Sequence, residues 1–325
     1  MTSIRVLDTD FETVAANHYD LCVFASGYES RCTAVPRGIK RENVANPAVF
    51  GFTEASQGIN RAQNDAWFLE EWKCTPVALS GDDEKPIYDY LHACSQSLST
   101  IRILVDYSSM SRLWYTAVLN WARFAASGRA VIIDFVYALG RYAAEEQPFV
   151  VRDMLSLPGC EGRAYRLRES VAVFGLGFHG LATLCVLDHL EPDTVYAFFA
   201  FPGASSEYEE KTREANRAIL SAHKTRAVLE LPLPSVESAY RSLAETIAPH
   251  RPDGEITLVP MGPKPHVLAS ILVAMRFPEV ACLRVTAMSK GVDVEATSSR
   301  VVTRVIIKAD TRESLPTAPP PTAVT

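Results

Sequence analysis

The sequence predicts an α/β protein made of two tandem Rossmann-like, doubly wound parallel-sheet units. Short β-branched and aromatic runs alternate with longer helical segments, an order that implies parallel pairing through right-handed crossovers with helices on both faces. This alternation occurs twice, over residues 20–138 and 170–288, as an internal duplication would produce. The 325 residues also exceed the roughly 100–200 of a typical single domain, so two units fit the length.

In the first unit, over residues 1–140, strands are expected at Leu21–Ala25, Ala48–Phe52, Pro76–Leu79, Ile101–Asp106 and Ala130–Tyr137, where turn residues bound apolar runs. Helices are expected between them, at Ser30–Ile39, Ile59–Trp72, Pro86–Leu98 and Arg112–Ala126. Pro86 suits a first helical turn, and Leu113, Ala117, Leu119, Trp121 and Phe124 can line a buried face. The second unit, over residues 170–310, repeats the order with strands at Val171–Phe174, Thr194–Phe199, Ala227–Leu231, Glu255–Pro260 and Cys282–Thr286. Its helices fall at Leu181–His189, Ser206–Ala222, Val236–Ala248 and Val267–Arg276, the last delayed by Pro260, Pro263 and Pro265. Residues 141–169 read as a connection with a further strand at Phe149–Arg152, and Val301–Lys308 is strand-like. The stretch 311–325, with four prolines and no aromatic residue, reads as a disordered tail.

Composition excludes several classes. A net charge of −6 opposes a broad nucleic-acid-binding face, which draws its affinity from neutralising phosphates, but leaves room for a local basic pocket. The seven cysteines are scattered, without a Cys-x-x-Cys pair, so reduced thiols and no metal site are expected. Asp8, Asp10 and Glu12 stand where a signal peptide would be basic and then apolar. No run approaches the roughly 20 apolar residues that span a bilayer. The expectation is a cytoplasmic protein with no membrane association and no cofactor.

In open parallel sheets, ligands bind beyond the carboxyl ends of strands, where strand order reverses. The loops after the first and fourth strands of each unit meet there, and these loops are the polar ones. In Asp106-Tyr107-Ser108-Ser109-Met110-Ser111-Arg112, three hydroxyls and a guanidinium beside a helix start can bind a phosphate or carboxylate. The alternative is structural, with Ser108 or Ser111 capping the helix and Arg112 pairing with Asp106. Gly27-Tyr28-Glu29-Ser30-Arg31 offers Glu29 and Arg31 to a base or to each other.

In the second unit, Gly175-Leu176-Gly177-Phe178-His179-Gly180 approaches the dinucleotide fingerprint Gly-x-Gly-x-x-Gly, directly after a strand. The next strand, however, ends in Phe199-Ala200-Phe201 and lacks the acid that would hold an adenosine ribose, which opposes a nicotinamide cofactor. Met261-Gly262-Pro263-Lys264-Pro265-His266 brings Gly262 and two basic side chains, Lys264 and His266. His179 and His266 could face one another as acid and base, or serve in hydrogen bonding and stacking. Cys32, near a helix start, is either a nucleophile partnered by His266 or a small buried residue. Glu207, Glu209, Glu210 and Glu214 complement a helix dipole as a solvated face.

The pattern Asp106-x-Ser108-x-x-x-Arg112 after a fourth strand resembles the motif of the CRISPR-associated Rossmann-fold (CARF) sensor domains, and the paired units resemble the related SAVED domains. That resemblance implies a sensor of cyclic oligonucleotides in antiphage defence, acting through a separate effector protein or as a homo-oligomer. The second-unit loop departs from it, lacking the acid and the hydroxyls. Two other readings remain at this level. One is an enzyme cleaving phosphodiester or glycosidic bonds of nucleotides or nucleic acid, with His179, His266 and Glu29 as catalytic candidates. The other is a pseudo-symmetric structural subunit of a defence complex.

Overall fold

The computed structural model describes residues 2–53, 59–96, 98–141, 149–163, 168–288 and 293–309. Strands in chain order are β1 (Thr2–Asp8), β2 (Tyr19–Ser26), β3 (Val44–Phe52), β4 (Val77–Leu79), β5 (Thr100–Asp106), β6 (Ala130–Gly140), β7 (Val150–Glu161), β8 (Ser170–Gly175), β9 (Thr194–Ala200), β10 (Thr225–Leu231), β11 (Glu255–Pro260), β12 (Val280–Met288) and β13 (Ala296–Ala309). Helices are α1 (Phe11–Ala16), α2 (Ile59–Trp67), α3 (Lys85–Ser95), α4 (Arg112–Ala125), α5 (Gly180–Leu190), α6 (Ser206–Ala215), α7 (Arg217–Leu220), α8 (Val236–Ile247) and α9 (Lys264–Arg276).

Among the described residues these strands form two sheets, ordered β1-β13-β6-β5-β2-β3-β4 and β10-β9-β8-β11-β12-β7. Within each, five strands run parallel in the same order, third-second-first-fourth-fifth: β4-β3-β2-β5-β6 and β10-β9-β8-β11-β12. Strand order therefore reverses between β2 and β5, and again between β8 and β11, which puts the loops after those strands at the switch points.

Several features depart from the sequence reading; among them, the last helix, expected only from Val267, begins at Lys264, with Pro265 in the first turn where its missing N–H is tolerated. Both sheets are mixed. β13, expected within the second unit, crosses back to pair antiparallel with β6, and β1, absent from the reading, pairs antiparallel with β13. β7, expected only as Phe149–Arg152 in the connection, runs to Glu161 and lies antiparallel to β12. β13 and β7 each cover an edge of a parallel sheet that would otherwise leave unpaired backbone groups, and β1 covers the outer edge of β13. The expected helix Ser30–Ile39 is instead a pair of 3-10 turns, Ser30–Thr33 and Pro36–Gly38. Pro36 cannot continue a preceding turn, and a Cβ at Gly38 would come 2.6 Å from the Phe11 ring. The expected tail 311–325 lies outside the described residues.

The helices that follow the fourth strands, α4 and α9, pack on each other and belong to one apolar core shared by both sheets. Along α4, Leu113, Ala117, Leu119 and Trp121 are buried as expected, whereas Phe124 is 81 % exposed. Trp114, fully buried, stacks on Phe52 with ring centroids 4.1 Å apart and donates its indole N–H to the Ser80 carbonyl at 3.1 Å, so the large ring is buried without orphaning its polar atom. Along α9, Pro265 to Met275 are buried. Because these two central helices touch, their N-terminal ends, and the loops leading into them, meet. No helix among the described residues is long and apolar enough to cross a membrane.

Candidate functional site

Where the carboxyl edges of the two sheets meet, a cavity of about 380 Å³ opens, walled by residues from both halves. Arg31, Arg112 and Tyr137 come from the first half, and Gly177, Phe178, His179, Tyr208, Gly262 and Lys264 from the second.

The loop after β2 is held rigidly. Asn64 donates to the carbonyls of Gly27 and Glu29 at 2.9 and 3.1 Å. Arg31 makes a two-pronged pair with Glu29 at 2.9 and 3.1 Å and donates to the Tyr137 hydroxyl at 3.0 Å. Burial disfavours charge on Arg31, but Tyr137 and Glu29 more than offset it and its pKa is raised. Of the sequence alternatives for Glu29 and Arg31, mutual pairing is the one observed, with Arg31 still forming cavity wall. Cys32 is buried beside them, and burial pushes its thiol up to about 12, so it holds its proton and is no nucleophile near neutral pH.

In the loop after β5, the hydroxyls hold the loop itself. Ser108 donates its backbone N–H and its hydroxyl to Asp106 Oδ1, at 3.0 and 2.5 Å, while accepting from the Ala138 N–H at 2.7 Å. Ser109 donates to Glu29 at 2.7 Å, which ties this loop to the loop after β2. Ser111 caps α4 by accepting from the Trp114 N–H at 3.2 Å. Burial pushes Asp106 up to about 6, against the hydrogen bonds from Ser108.

Arg112 is different. Among the described residues its guanidinium has no hydrogen-bond or ion-pair partner; Asp106, the partner considered from sequence, bonds Ser108 instead. It lines the cavity, and burial lowers its pKa, an effect that Tyr115 partly offsets. The side chain is half-buried and open to the cavity, so its guanidinium is a donor set without a protein partner among the described residues, in reach of an anion or of water.

The glycines of the loop after β8 answer to close chain approach. A Cβ at Gly177 would lie 2.6 Å from the Met261 carbonyl oxygen, one at Gly180 would lie 1.7 Å from that of Ala215, and Gly175 sits under the Phe198 ring. Packing therefore accounts for the whole fingerprint, which agrees with the missing ribose acid. Between the glycines, Phe178 stacks on Tyr208 (5.2 Å between centroids, 12° between planes) and His179 on Phe149 (4.5 Å, 25°). These four rings form an aromatic wall.

Lys264, the basic contact expected from the loop after β11, reaches across to the first half. Its ammonium donates to the carbonyls of Tyr107, Ser108 and Met110 at 3.3, 2.7 and 2.8 Å. Burial pulls it down to about 7, helped by the like charges of Arg31 and Arg112 and opposed by Glu29 and Asp106. Gly262 lets this loop pass the Leu176 carbonyl, 2.7 Å from where a Cβ would stand. His266 is fully buried beside Phe198, with centroids 5.7 Å apart, and burial pulls it down to about 4, so it is neutral. The two histidines thus do not face each other: His179 is on the cavity wall and His266 in the core.

The structure gathers Arg31, Arg112, Gly177, His179, Gly262 and Lys264 around one cavity, and puts Gly27, Glu29, Asp106, Ser108, Ser109, Ser111, Gly175 and His266 outside its lining as supports or core. Tyr137, Phe149, Phe178 and Tyr208 complete the wall and were not among the sequence candidates. Phe178 carried a signal, lying inside a glycine-rich turn; Tyr208 was hidden within a helix start read for its acids. Among the described residues no group of three or more His, Cys, Asp or Glu side chains could hold a metal ion. The arrangement suits a flat aromatic anion. Compared with known proteins, the chain matches no family model and no curated protein.

Proposed function

We propose that this chain is a nucleotide-binding sensor whose ligand occupies the cavity between the two halves. The observation that carries the reading is Arg112, a half-buried guanidinium without a partner among the described residues, which lines the same cavity as an aromatic wall at the switch points of both sheets. A phosphate would accept from Arg112 near the start of α4, and a base would lie on the aromatic rings. The resemblance to CARF and SAVED domains adds the setting, an antiphage response triggered by a cyclic oligonucleotide messenger and relayed by a separate effector or by self-association. Sensing is favoured over catalysis because two of the three acid–base candidates are engaged elsewhere, Glu29 holding Arg31 and His266 neutral in the core, while the third, His179, stacks on Phe149 in the cavity wall.

The test is to melt the purified chain with mononucleotides, dinucleotides and cyclic oligonucleotides while following each for chemical change. A ligand at 100 times its Kd adds about 2.7 kcal/mol to stability, which is readily seen as a raised Tm. The expected result is a shift with the ligand recovered intact. Turnover of the ligand would replace sensing with catalysis, and no shift with any nucleotide would remove the reading.

A further inference from the structure

We infer that the ligand is asymmetric: a single nucleotide unit, with one anionic end at Arg112 and one base on the aromatic wall of Phe178, His179 and Tyr208. The inference rests on the nucleotide reading and narrows it, departing from the cyclic ligands that the family resemblance implies.

A two-fold symmetric ligand presents two equivalent phosphates and two equivalent bases, and a pseudo-symmetric protein would meet them with like groups at like positions. The two halves share a strand order, so the comparison can be made residue by residue. Counted from Asp106 and Pro260, the last residues of the fourth strands, the sixth residue is Arg112 in one half and His266 in the other. His266 is fully buried beside Phe198 and has no place on the cavity wall. Of the cations the second half brings near the cavity, Lys264 already donates to three backbone carbonyls of the first half, and Lys211 sits over the Phe178 ring, 5.6 Å from its centroid, rather than in the cavity lining. Among the described residues, the cavity lining therefore offers one cation without a protein partner, not two.

The stacked aromatic pairs are one-sided in the opposite sense, since Tyr137, the aromatic residue of the first-half wall, is engaged by Arg31. The stacked pairs Phe178–Tyr208 and Phe149–His179 both belong to the second half and its edge strand's approach. At the equivalent turn of the first half, Glu29 and Arg31 form a closed ion pair that also engages Tyr137 and Ser109. Among the described residues, the cavity thus has its unpartnered cation in the first half and its stacked aromatic pairs in the second. Its volume of about 380 Å³ is near the lower limit of ligand pockets, which run from about 300 to 1,000 Å³. Charge placement, stacking and size all point to one base and one anionic group.

Isothermal titration of the full chain with the four 5′-mononucleotides, their nucleosides, inorganic phosphate and cyclic di-AMP tests this. At least one mononucleotide should bind once per chain, about tenfold or more tighter than both its nucleoside and phosphate. Arg112→Gln should weaken that mononucleotide by about 10- to 100-fold, towards its nucleoside, and leave the nucleoside unchanged. Phe178→Ala should weaken nucleotide and nucleoside alike, by about 5- to 100-fold. The wild-type ranking carries the inference even if a variant fails to fold. Cyclic di-AMP binding tighter than every mononucleotide overturns the asymmetric ligand while leaving a nucleotide sensor; failure of every nucleotide, linear and cyclic, overturns the sensor as well.

Discussion

The loops that leave β5 and β11 start from matching strands and end in opposite roles. After β5, Ser108 and Ser111 close the loop on Asp106 and on the first turn of α4, and α4 begins only at Arg112, whose side chain lines the cleft. After β11, glycine and proline replace the hydroxyls and α9 begins at Lys264, two residues earlier relative to the strand end, so the position matching Arg112 is already inside the helix and faces the core as His266. One loop therefore supplies its own hydrogen bonds and leaves its cation without a protein partner among the described residues. The other lacks internal partners and uses its cation to hold the first. Shared topology fixes where two loops meet; their side chains decide which of them leaves a cation open to the cavity and which braces.

If that division is right, removing a bracing charge costs stability, and removing the binding charge does not. The largest effect is expected at Glu29, whose pair with Arg31 is enclosed. Glu29→Ala leaves the guanidinium unpaired and should destabilise the chain by about 3–5 kcal/mol in urea denaturation. A loss below about 1 kcal/mol, the range of exposed pairs, would mean that Arg31 finds water or another acceptor and that the loop is not braced by this pair. Lys264→Met comes next. It deprives three carbonyls of a charged donor and should cost about 1.5–3 kcal/mol. A Lys264→Met protein of unchanged stability but lost nucleotide binding would reverse the roles assigned to the two loops.

Arg112 is the counterpart. Because its charge has no partner among the described residues, Arg112→Met should leave the midpoint of denaturation within about 0.5 kcal/mol of the wild type or raise it, while nucleotide affinity falls by about 1.5–3 kcal/mol. Stability gained at the expense of binding is the behaviour of a functional site. Destabilisation with intact binding would make Arg112 one more brace.

How far the sequence could carry this division depends on which groups do the work. The parallel strands were legible because short apolar runs bounded by turn residues are local signals, and Glu255–Pro260 begins and ends where it was expected. The crossing of β13 to β6, and the pairing of β1 with β13, were not, since edge pairing joins residues hundreds of positions apart and depends on which edge is left open. Arg112 was legible as a cation in a hydroxyl-rich turn at a helix start. The bracing role of Lys264 was not, because its acceptors are backbone carbonyls, which every residue carries. Tyr208 and Phe149 escaped for a related reason: a stacking partner is defined only once distant segments are packed together.

The smallest effect expected is a pH dependence that contrasts the same two loops. Burial pulls His266 from 6.5 down to about 4, so between those values the unfolded chain binds the proton more readily; His266 makes stability rise with pH across that window and weakens it as the pH falls. Burial pushes Asp106 the other way, from 3.8 up to about 6, so the folded chain binds the extra proton and stability falls as pH rises across that window. The two slopes oppose one another between about 4 and 6, and their net effect in the wild type is small. Single substitutions should separate them. His266→Leu removes the rising component, so its stability relative to the wild type should improve steadily as the pH is lowered from 6.5 towards 4. Asp106→Asn removes the falling component, and its relative stability should worsen over the same acidification. Difference curves from urea midpoints at several pH values read both. Nucleotide affinity at pH 7 supplies the control for placement: His266→Leu should preserve it, as a core residue would. A flat difference curve together with lost affinity would put His266 in the cleft beside Arg112 and restore the symmetry that the two loops otherwise lack.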